Sequence, residues 1–202
     1  MMEKRIARLL NRRKEKENWV DEIMDSNRKM FGVKFKKQIE IDILEFFKSG
    51  KFDYIKLGQT KEWILNNFPE PDTRFDSDWV REKGFDIWTY GNIEFHFQGE
   101  KLYLIFSDNF TFQNRLDGGS SLKLNCWFFE NISKLNLIFV LEELNKHGID
   151  YEKRMDNLGV CLRLNSGIEL TFENVDDIEN LNPNEFMLSS FAKTDETSTL
   201  WE

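Results

Sequence analysis

Residues 85–106 read FDIWTYGNIEFHFQGEKLYLIF, and this stretch decides the class of fold. It contains three runs rich in aromatic and aliphatic side chains, separated by GN at 91–92 and GE at 99–100. Glycine beside a polar residue between two such runs is typical of a tight hairpin turn, so we predict three consecutive antiparallel strands. Glu94 and His96 alternate with the apolar residues of the middle run. This alternation predicts one packed face and one face open to solvent or to a partner.

A second group of strands is predicted towards the C-terminal end. Alternating stretches occur at 150–155, 158–164 and 168–173, and NSG at 165–167 is the predicted turn between the last two. Ahead of them, LKLNCWF at 122–128 also alternates and is predicted to be a strand.

Each group of strands follows a predicted helix. Thr60 is a good N-cap for a helix that Pro69 ends. The predicted apolar face of this helix has three members: Trp63, Ile64 and Phe68. Ser133 is the predicted N-cap of a longer helix that ends near Lys146.

The order of the elements predicts an α+β fold made of two tandem helix-then-antiparallel-sheet units. The first unit is expected at 51–116 and the second at 117–202, where it ends in an acidic tail. Residues 1–50 are expected to hold an N-terminal helical arm over 3–29 and a second helix over 37–48.

The two units share a short internal similarity. GNIEF at 91–95 and GIEL at 167–170 both begin the second arm of a hairpin. This similarity favours a duplication whose sheets join side by side, and common hairpin chemistry is the alternative. Glu94 and Glu169 stand at matching places in the two hairpins, but we do not predict that they form an acidic pair.

Composition predicts a folded protein with an acidic body. The 202 residues are 40% hydrophobic, with 19 Phe and 3 Pro, which is enough to bury a core without disulfides or metals. Seven basic and two acidic side chains in 1–16 give +5, so the net charge of −8 leaves −13 for the remaining 186 residues. Such a body favours basic partners.

The cysteines and the absence of targeting signals predict a cytoplasmic protein. Cys126 and Cys161 each lie in an apolar stretch, without the spacing of a metal or redox site, so we predict two reduced, buried thiols. No signal peptide is recognised, and no apolar run approaches the ~20 residues that a membrane-spanning helix needs.

Two segments carry a resemblance to a known repeat: LGQTKEWILNNFPEP at 57–71 and WTYGNIEFHFQGEKLYLI at 88–105. They resemble the repeat shared by small outer-membrane assembly lipoproteins and the β-lactamase-inhibitor protein, and also seen in predicted immunity proteins of bacterial toxin systems. The matching positions are Gly58, Thr60, Pro71, Trp88, Tyr90 and Gly91. The glycine that the pattern places before its proline turn is replaced around Phe68-Pro69, and no lipobox cysteine lies near the start.

This resemblance covers residues 52–110 well and 130–174 loosely. It implies a tandem helix-plus-hairpin scaffold whose relatives mostly bind other proteins. Its motifs mark structural positions, so the implied function is an expectation drawn from fold alone.

The sequence contains no catalytic, nucleotide-binding or metal-binding motif. HExxH, CxxC, GxSxG, GxGxxG and the glycine-rich lysine loop are all absent. His96 falls on the polar face of a strand and His147 near a helix end. Asp72, Asp76 and Asp78 share one predicted loop, where solvated carboxylates are expected. We therefore predict a non-enzymatic protein without a cofactor or a metal.

An acidic surface with aromatic anchors is the predicted partner-binding site, because Trp and Tyr are enriched at interfaces and carboxylates attract a basic protein. Its predicted members are Asp72, Asp76, Asp78, Trp79, Glu82, Asp86, Trp88, Glu94 and His96.

These features favour an inhibitor that covers the active surface of a basic toxin, as an immunity protein does. A phage- or plasmid-encoded inhibitor of a host defence protein is an alternative with the same physics. Nucleic-acid binding by the basic arm, through Arg8, Arg12 and Arg13, is a third hypothesis.

Overall fold

The structure is a computed structural model. It describes residues 38–75, 85–108, 115–155, 159–174 and 182–194. The helix predicted over 3–29 and the basic arm lie outside the described residues.

The described elements follow one another along the chain as β1 (Ile39–Asp42), α1 (Ile43–Ser49), α2 (Lys61–Asn67), β2 (Thr73–Phe75), β3 (Phe85–Tyr90), β4 (Ile93–Gln98), β5 (Lys101–Ser107), β6 (Leu122–Asn125), α3 (Leu137–Lys146), β7 (Tyr151–Met155), β8 (Gly159–Leu164), β9 (Ile168–Glu173) and β10 (Met187–Thr194). Short 3₁₀ helices occupy Trp127–Glu130, Ile132–Lys134 and Pro183–Glu185. No helix in this part of the chain is both long enough and apolar enough to span a membrane.

One eight-stranded sheet contains both predicted groups of strands. Its order is β2-β3-β4-β5-β10-β9-β8-β7, and every neighbouring pair is antiparallel. With three α-helices among the described residues, the chain has the predicted α+β fold. The duplication of two tandem units stays a prediction.

The hairpin of β3 and β4 shows why the sequence pattern is informative. Gly91 has φ = 62°, in the left-handed region that glycine adopts without strain. A Cβ atom at this position would also overlap the carbonyl of Asp117. Side chains of β4 alternate between buried and half-buried, so one face packs as predicted.

Strand β10 joins the two halves of the sheet, and the sequence pattern did not predict it. It pairs with β5 on one side and with β9 on the other. Its Phe191 is fully buried and contacts the rings of Phe46, Phe47 and Phe129. The C-terminal segment therefore completes the middle of the sheet and its core.

The helix predicted over 37–48 is wrong in its first turn. Residues 39–42 form β1, which pairs in parallel with β6. Helix α1 starts only at Ile43, because the Asp42 carboxylate caps it by accepting the N–H of Glu45 at 3.1 Å. The predicted end of this helix is confirmed, because Gly50 caps it in the left-handed conformation, with φ = 69°.

The strand predicted over 122–128 is also too long. It ends at Asn125, and the chain turns into a 3₁₀ helix in which the consecutive residues Phe128 and Phe129 are both buried. A strand that packs on one face buries only alternate residues, so it cannot bury this pair.

Helix α3 begins three residues later than predicted. Asn136, not Ser133, is its N-cap and accepts the N–H of Phe139 at 2.9 Å. The Ser133 hydroxyl donates instead to the side chain of Asn131 at 2.6 Å, within a 3₁₀ turn. Such local polar contacts compete with helix formation.

The abundant phenylalanines fill one core shared by the sheet and all three helices. Phe47 of α1 meets five rings at centroid distances of 5.5–6.0 Å. Edge-to-face contacts of this kind each add about 0.5–1.5 kcal/mol beyond the burial of apolar area. The high Phe content is therefore mostly structural.

Candidate partner-binding surface

Asp72, predicted to face a partner, is half-buried in a network of loops. Its carboxylate accepts the N–H groups of Gly91 at 2.8 Å and Ser120 at 3.0 Å, and also the Ser120 hydroxyl. Close by, the side chain of Asn92 accepts the N–H of Asp117 at 2.9 Å. The expectation of a solvated carboxylate is wrong for Asp72. Its carboxylate holds three loop segments together and has little hydrogen-bonding capacity left for a partner.

Asp86 links helix α2 to the sheet through Lys61, and Trp88 contacts Asp86. Asp86 Oδ2 lies 3.1 Å from Lys61 Nζ and also accepts the Trp88 indole N–H at 3.1 Å. The guanidinium of Arg74 sits 4.8 Å from the Trp88 ring centroid. Only 2% of Trp88 is exposed, so its predicted role as an interface anchor is corrected to a core role.

Glu94 and His96 form a close pair on the face of β4 opposite its buried residues. His96 Nε2 is 2.6 Å from Glu94 Oε2, and the imidazole meets the rings of Tyr103 and Phe106 edge-on. Burial, and then the charge of Glu94, raise the pKa of Asp108. Glu94 and His96 are thus hydrogen-bonded to each other within the chain.

The described polar side chains do not form a reactive centre. Glu94 and Glu169 occupy one row of the sheet but are separated by β5 and β10, so they stand about 14 Å apart and are not an acidic pair. His147 lies 3.7 Å from Glu143 on α3. Within the described ranges, no three His, Cys, Asp or Glu side chains converge as metal ligands.

The fold separates the described members of the predicted surface. Asp86 and Trp88 lie in register with Phe97 and Phe95 on the packed face of the sheet, whereas Glu94 and His96 lie on the other face. The remaining predicted contact residues lie outside the described residues: Asp76, Asp78, Trp79, Glu82, Arg8, Arg12 and Arg13.

A different pair of aromatic side chains is exposed. Tyr54 and Trp63 are 39% and 38% accessible, and their ring centroids are 6.3 Å apart. Three more large hydrophobic side chains of the described residues are exposed: Phe75, Ile138 and Met155. Single exposed hydrophobic residues are normal on protein surfaces, but two contacting aromatic rings make a larger area suited to a partner.

Asn67 links Tyr54 to the main chain of Trp63. The Tyr54 hydroxyl donates to the carbonyl of Asn67 at 2.6 Å, and the Asn67 side-chain amide donates to the carbonyl of Trp63 at 2.8 Å. The Tyr54 ring also packs against the buried ring of Phe68, 5.6 Å away. The Tyr54 ring is therefore preorganised, and the Trp63 ring contacts it.

Carboxylates flank both rings along the chain. Asp53 and Glu62 are exposed and directly precede Tyr54 and Trp63. Partial burial, and then the charge of Asp53, raise the pKa of the Tyr54 hydroxyl. Of the nearby lysines, Lys56 is exposed, but Lys61 is turned towards Asp86 on the sheet. We call Asp53, Tyr54, Glu62 and Trp63 the aromatic–acidic patch.

The sequence pattern placed Trp63 on the apolar face of α2, and this is wrong. Ile64 and Phe68, four residues apart, are fully buried, while Trp63 lies about 100° away around the helix. The residue four positions after Trp63 is the exposed Asn67. That polar neighbour is the signal in the sequence that marks the outer stripe.

Comparisons with known proteins do not show a family. No family model and no curated protein matches the chain. A crystal structure of an extracellular protein containing a SCP domain, from Bacillus anthracis str. Ames, is similar over 83% of this chain, at 14% identity and a TM-score of 0.32. The chain spans about half of that protein, 51% of its length. At this TM-score the similarity carries no argument about fold or function.

Proposed function

We propose that this chain is a non-enzymatic inhibitor that binds a basic protein and covers its surface, with the aromatic–acidic patch as an anchor. The observation that carries the proposal is the exposed, contacting pair of Tyr54 and Trp63, in which a hydrogen bond holds Tyr54 and an exposed carboxylate precedes each ring along the chain.

The physics of interfaces supports an anchor of this kind. Trp and Tyr dominate binding hot spots, where truncation costs about 2 kcal/mol or more. Immobilising a flexible side chain on binding costs about 0.5–1.5 kcal/mol. Tyr54 is already held by Asn67 and Phe68, so much of that cost is absent here.

Charge supports a basic partner. Residues 17–202 carry −13, and Asp53 and Glu62 place negative charge at the patch itself. Opposite potentials accelerate encounter and select the partner. Proteins that act on nucleic acids must hold phosphate and so present such a basic surface.

The specific form that we propose is an immunity-type protein that neutralises a toxin in the bacterial cytoplasm by occlusion. An inhibitor of a host defence protein, encoded by a phage or plasmid, remains the alternative. Both bind stoichiometrically and need no chemistry at the interface.

Affinity capture from the native host tests the proposal. Three tagged full-length chains are compared: wild type, Trp63→Ala, and Ile138→Ala as a control that shortens an exposed hydrophobic side chain on α3. We expect wild type and Ile138→Ala to retain one basic protein at equal stoichiometry. We expect Trp63→Ala to weaken its binding about 30-fold, the equivalent of about 2 kcal/mol.

A functional measurement completes the test. The retained protein is assayed for its own activity with increasing wild-type chain, and inhibition should be complete near one equivalent. Recovery of nucleic acid alone would contradict a protein-binding role. Unchanged affinity of Trp63→Ala would remove the patch from the proposal.

A further inference from the structure

The geometry of the aromatic–acidic patch indicates what kind of side chain it receives. The planes of the Tyr54 and Trp63 rings are inclined at 70°, an edge-to-face arrangement. In such a pair the edge of one ring contacts one face of the other, so the two rings are not stacked face on face and each keeps part of its surface exposed. The face of an aromatic ring is the negative end of its quadrupole, and it attracts a cation.

The neighbouring carboxylates act in the same direction. Partial burial, and then the charge of Asp53, raise the pKa of the Tyr54 hydroxyl, so the negative potential of Asp53 reaches that side chain. Glu62 is exposed in the first turn of α2, next to Trp63. Lys61 does not compensate these charges, since its ammonium is 3.1 Å from Asp86.

A guanidinium, an indole ring and a carboxylate already contact one another inside this protein. The Arg74 guanidinium lies 4.8 Å from the Trp88 ring centroid, and the N–H of that indole donates to Asp86 at 3.1 Å. At that position an indole face, a guanidinium and a carboxylate are all supplied by the chain. At the patch the aromatic rings and the carboxylates are present and exposed.

We infer that the patch binds an arginine side chain of the basic partner, with its guanidinium stacked on an exposed aromatic face and ion-paired with Asp53 or Glu62. This inference rests on the proposed function and names the chemistry of the contact. Arginine fits better than lysine because its guanidinium is planar, weakly hydrated and able to make two parallel hydrogen bonds to a carboxylate.

Titration with blocked peptides, followed by NMR of the indole N–H groups in the full chain, tests this inference. Trp63→Phe identifies the Trp63 indole signal. We expect a tetra-arginine peptide to shift that signal at millimolar concentration, with about five-fold tighter binding than tetra-lysine. Tetra-glutamate should leave the signal unchanged.

Charge variants provide the matched comparison. Asp53 has φ = 55°, a conformation that Asn also tolerates, so Asp53→Asn removes the charge and keeps the turn. Together with Glu62→Gln it should weaken the tetra-arginine effect at Trp63 about five-fold. Glu130→Gln, at an exposed position on another segment, should not change it.

Equal shifts with tetra-arginine and tetra-lysine, or no shift at Trp63, would overturn the arginine inference. The capture experiment separates this failure from failure of the proposed function. Capture that depends on Trp63 while the peptides fail refutes only the arginine contact. Capture that does not depend on Trp63 refutes the anchor itself, whatever the peptides show.

Discussion

Replacing Asp72 by Ala should destabilise the protein strongly, because this carboxylate is the acceptor that links three loops. It takes N–H groups from Gly91 and Ser120 and the hydroxyl of Ser120. Hydrogen bonds to a charged group each contribute about 1.5–3 kcal/mol, and the site is half-buried, so water can replace part of what is lost. We expect the free energy of unfolding to fall by about 3 kcal/mol.

Urea unfolding followed by circular dichroism measures this change. Glu130→Ala, which removes an exposed carboxylate, is the control and should change stability by less than about 0.5 kcal/mol. Asp72→Asn keeps one acceptor oxygen and should fall between wild type and Asp72→Ala. A loss below about 1 kcal/mol for Asp72→Ala, at unchanged m-value, would refute the structural role of this side chain.

Three further substitutions or treatments test other parts of the structure. Lys61→Met removes the 3.1 Å ion pair with Asp86 and should lower the unfolding free energy by about 1 kcal/mol; a thermal midpoint equal to wild type would contradict this. Gly119→Ala should cost at least about 2 kcal/mol, because φ is 65° and the new Cβ would overlap the Asp72 carboxylate; near-wild-type stability in urea would show that this turn is wrong. Burial raises the pKa of the Cys126 thiol from 9.0 to about 11, so at pH 8 its alkylation in the folded protein should be about 100-fold slower than in urea. This thiol's contribution to stability is complete below pH 9 and should be lost as the pH rises towards 11; equal alkylation rates in both states would refute the raised pKa.

Three local signals in the sequence predicted the local structure correctly. The Thr60 cap, the stop at Gly50 and the hairpin turn at 91–92 all depend on residues within a few positions of one another. Their chemistry is therefore visible in a short window. The same holds for β4, where burial on one face produces strict alternation.

Strand β10 could not be predicted in this way because its pattern is irregular. Its buried residues, Leu188 and Phe191, are three positions apart, since a bulge between Leu188 and Ser190 shifts the register with β9. Two-residue periodicity is lost across a bulge. Strand β1 escaped prediction for another reason: its partner β6 lies about 80 residues away, and short apolar segments suit helix and strand alike.

The predicted partner-binding surface fails at Asp72 for a related physical reason. The N–H groups that donate to Asp72 belong to residues 19 and 48 positions away. In the sequence, such a carboxylate cannot be distinguished from a solvated carboxylate in a polar loop. The frequency of Trp at interfaces predicts that Trp88 contacts a partner, but its ring is buried on the inward side of β3. Residue type shows what a side chain can do, whereas exposure depends on contacts made across the whole fold.

If the aromatic–acidic patch exists for binding, Asp72 and Trp63 should behave in opposite ways. Asp72 is committed to internal hydrogen bonds, so Asp72→Ala should lower stability and leave the partner affinity of the folded fraction unchanged. Trp63 is 38% exposed and contributes mainly its contact with Tyr54, so Trp63→Ala should cost at most about 1 kcal/mol of stability. Its partner affinity should nevertheless fall about 30-fold. A Trp63→Ala loss above about 2 kcal/mol would instead assign the ring to folding, and the reason to regard its exposure as functional would disappear.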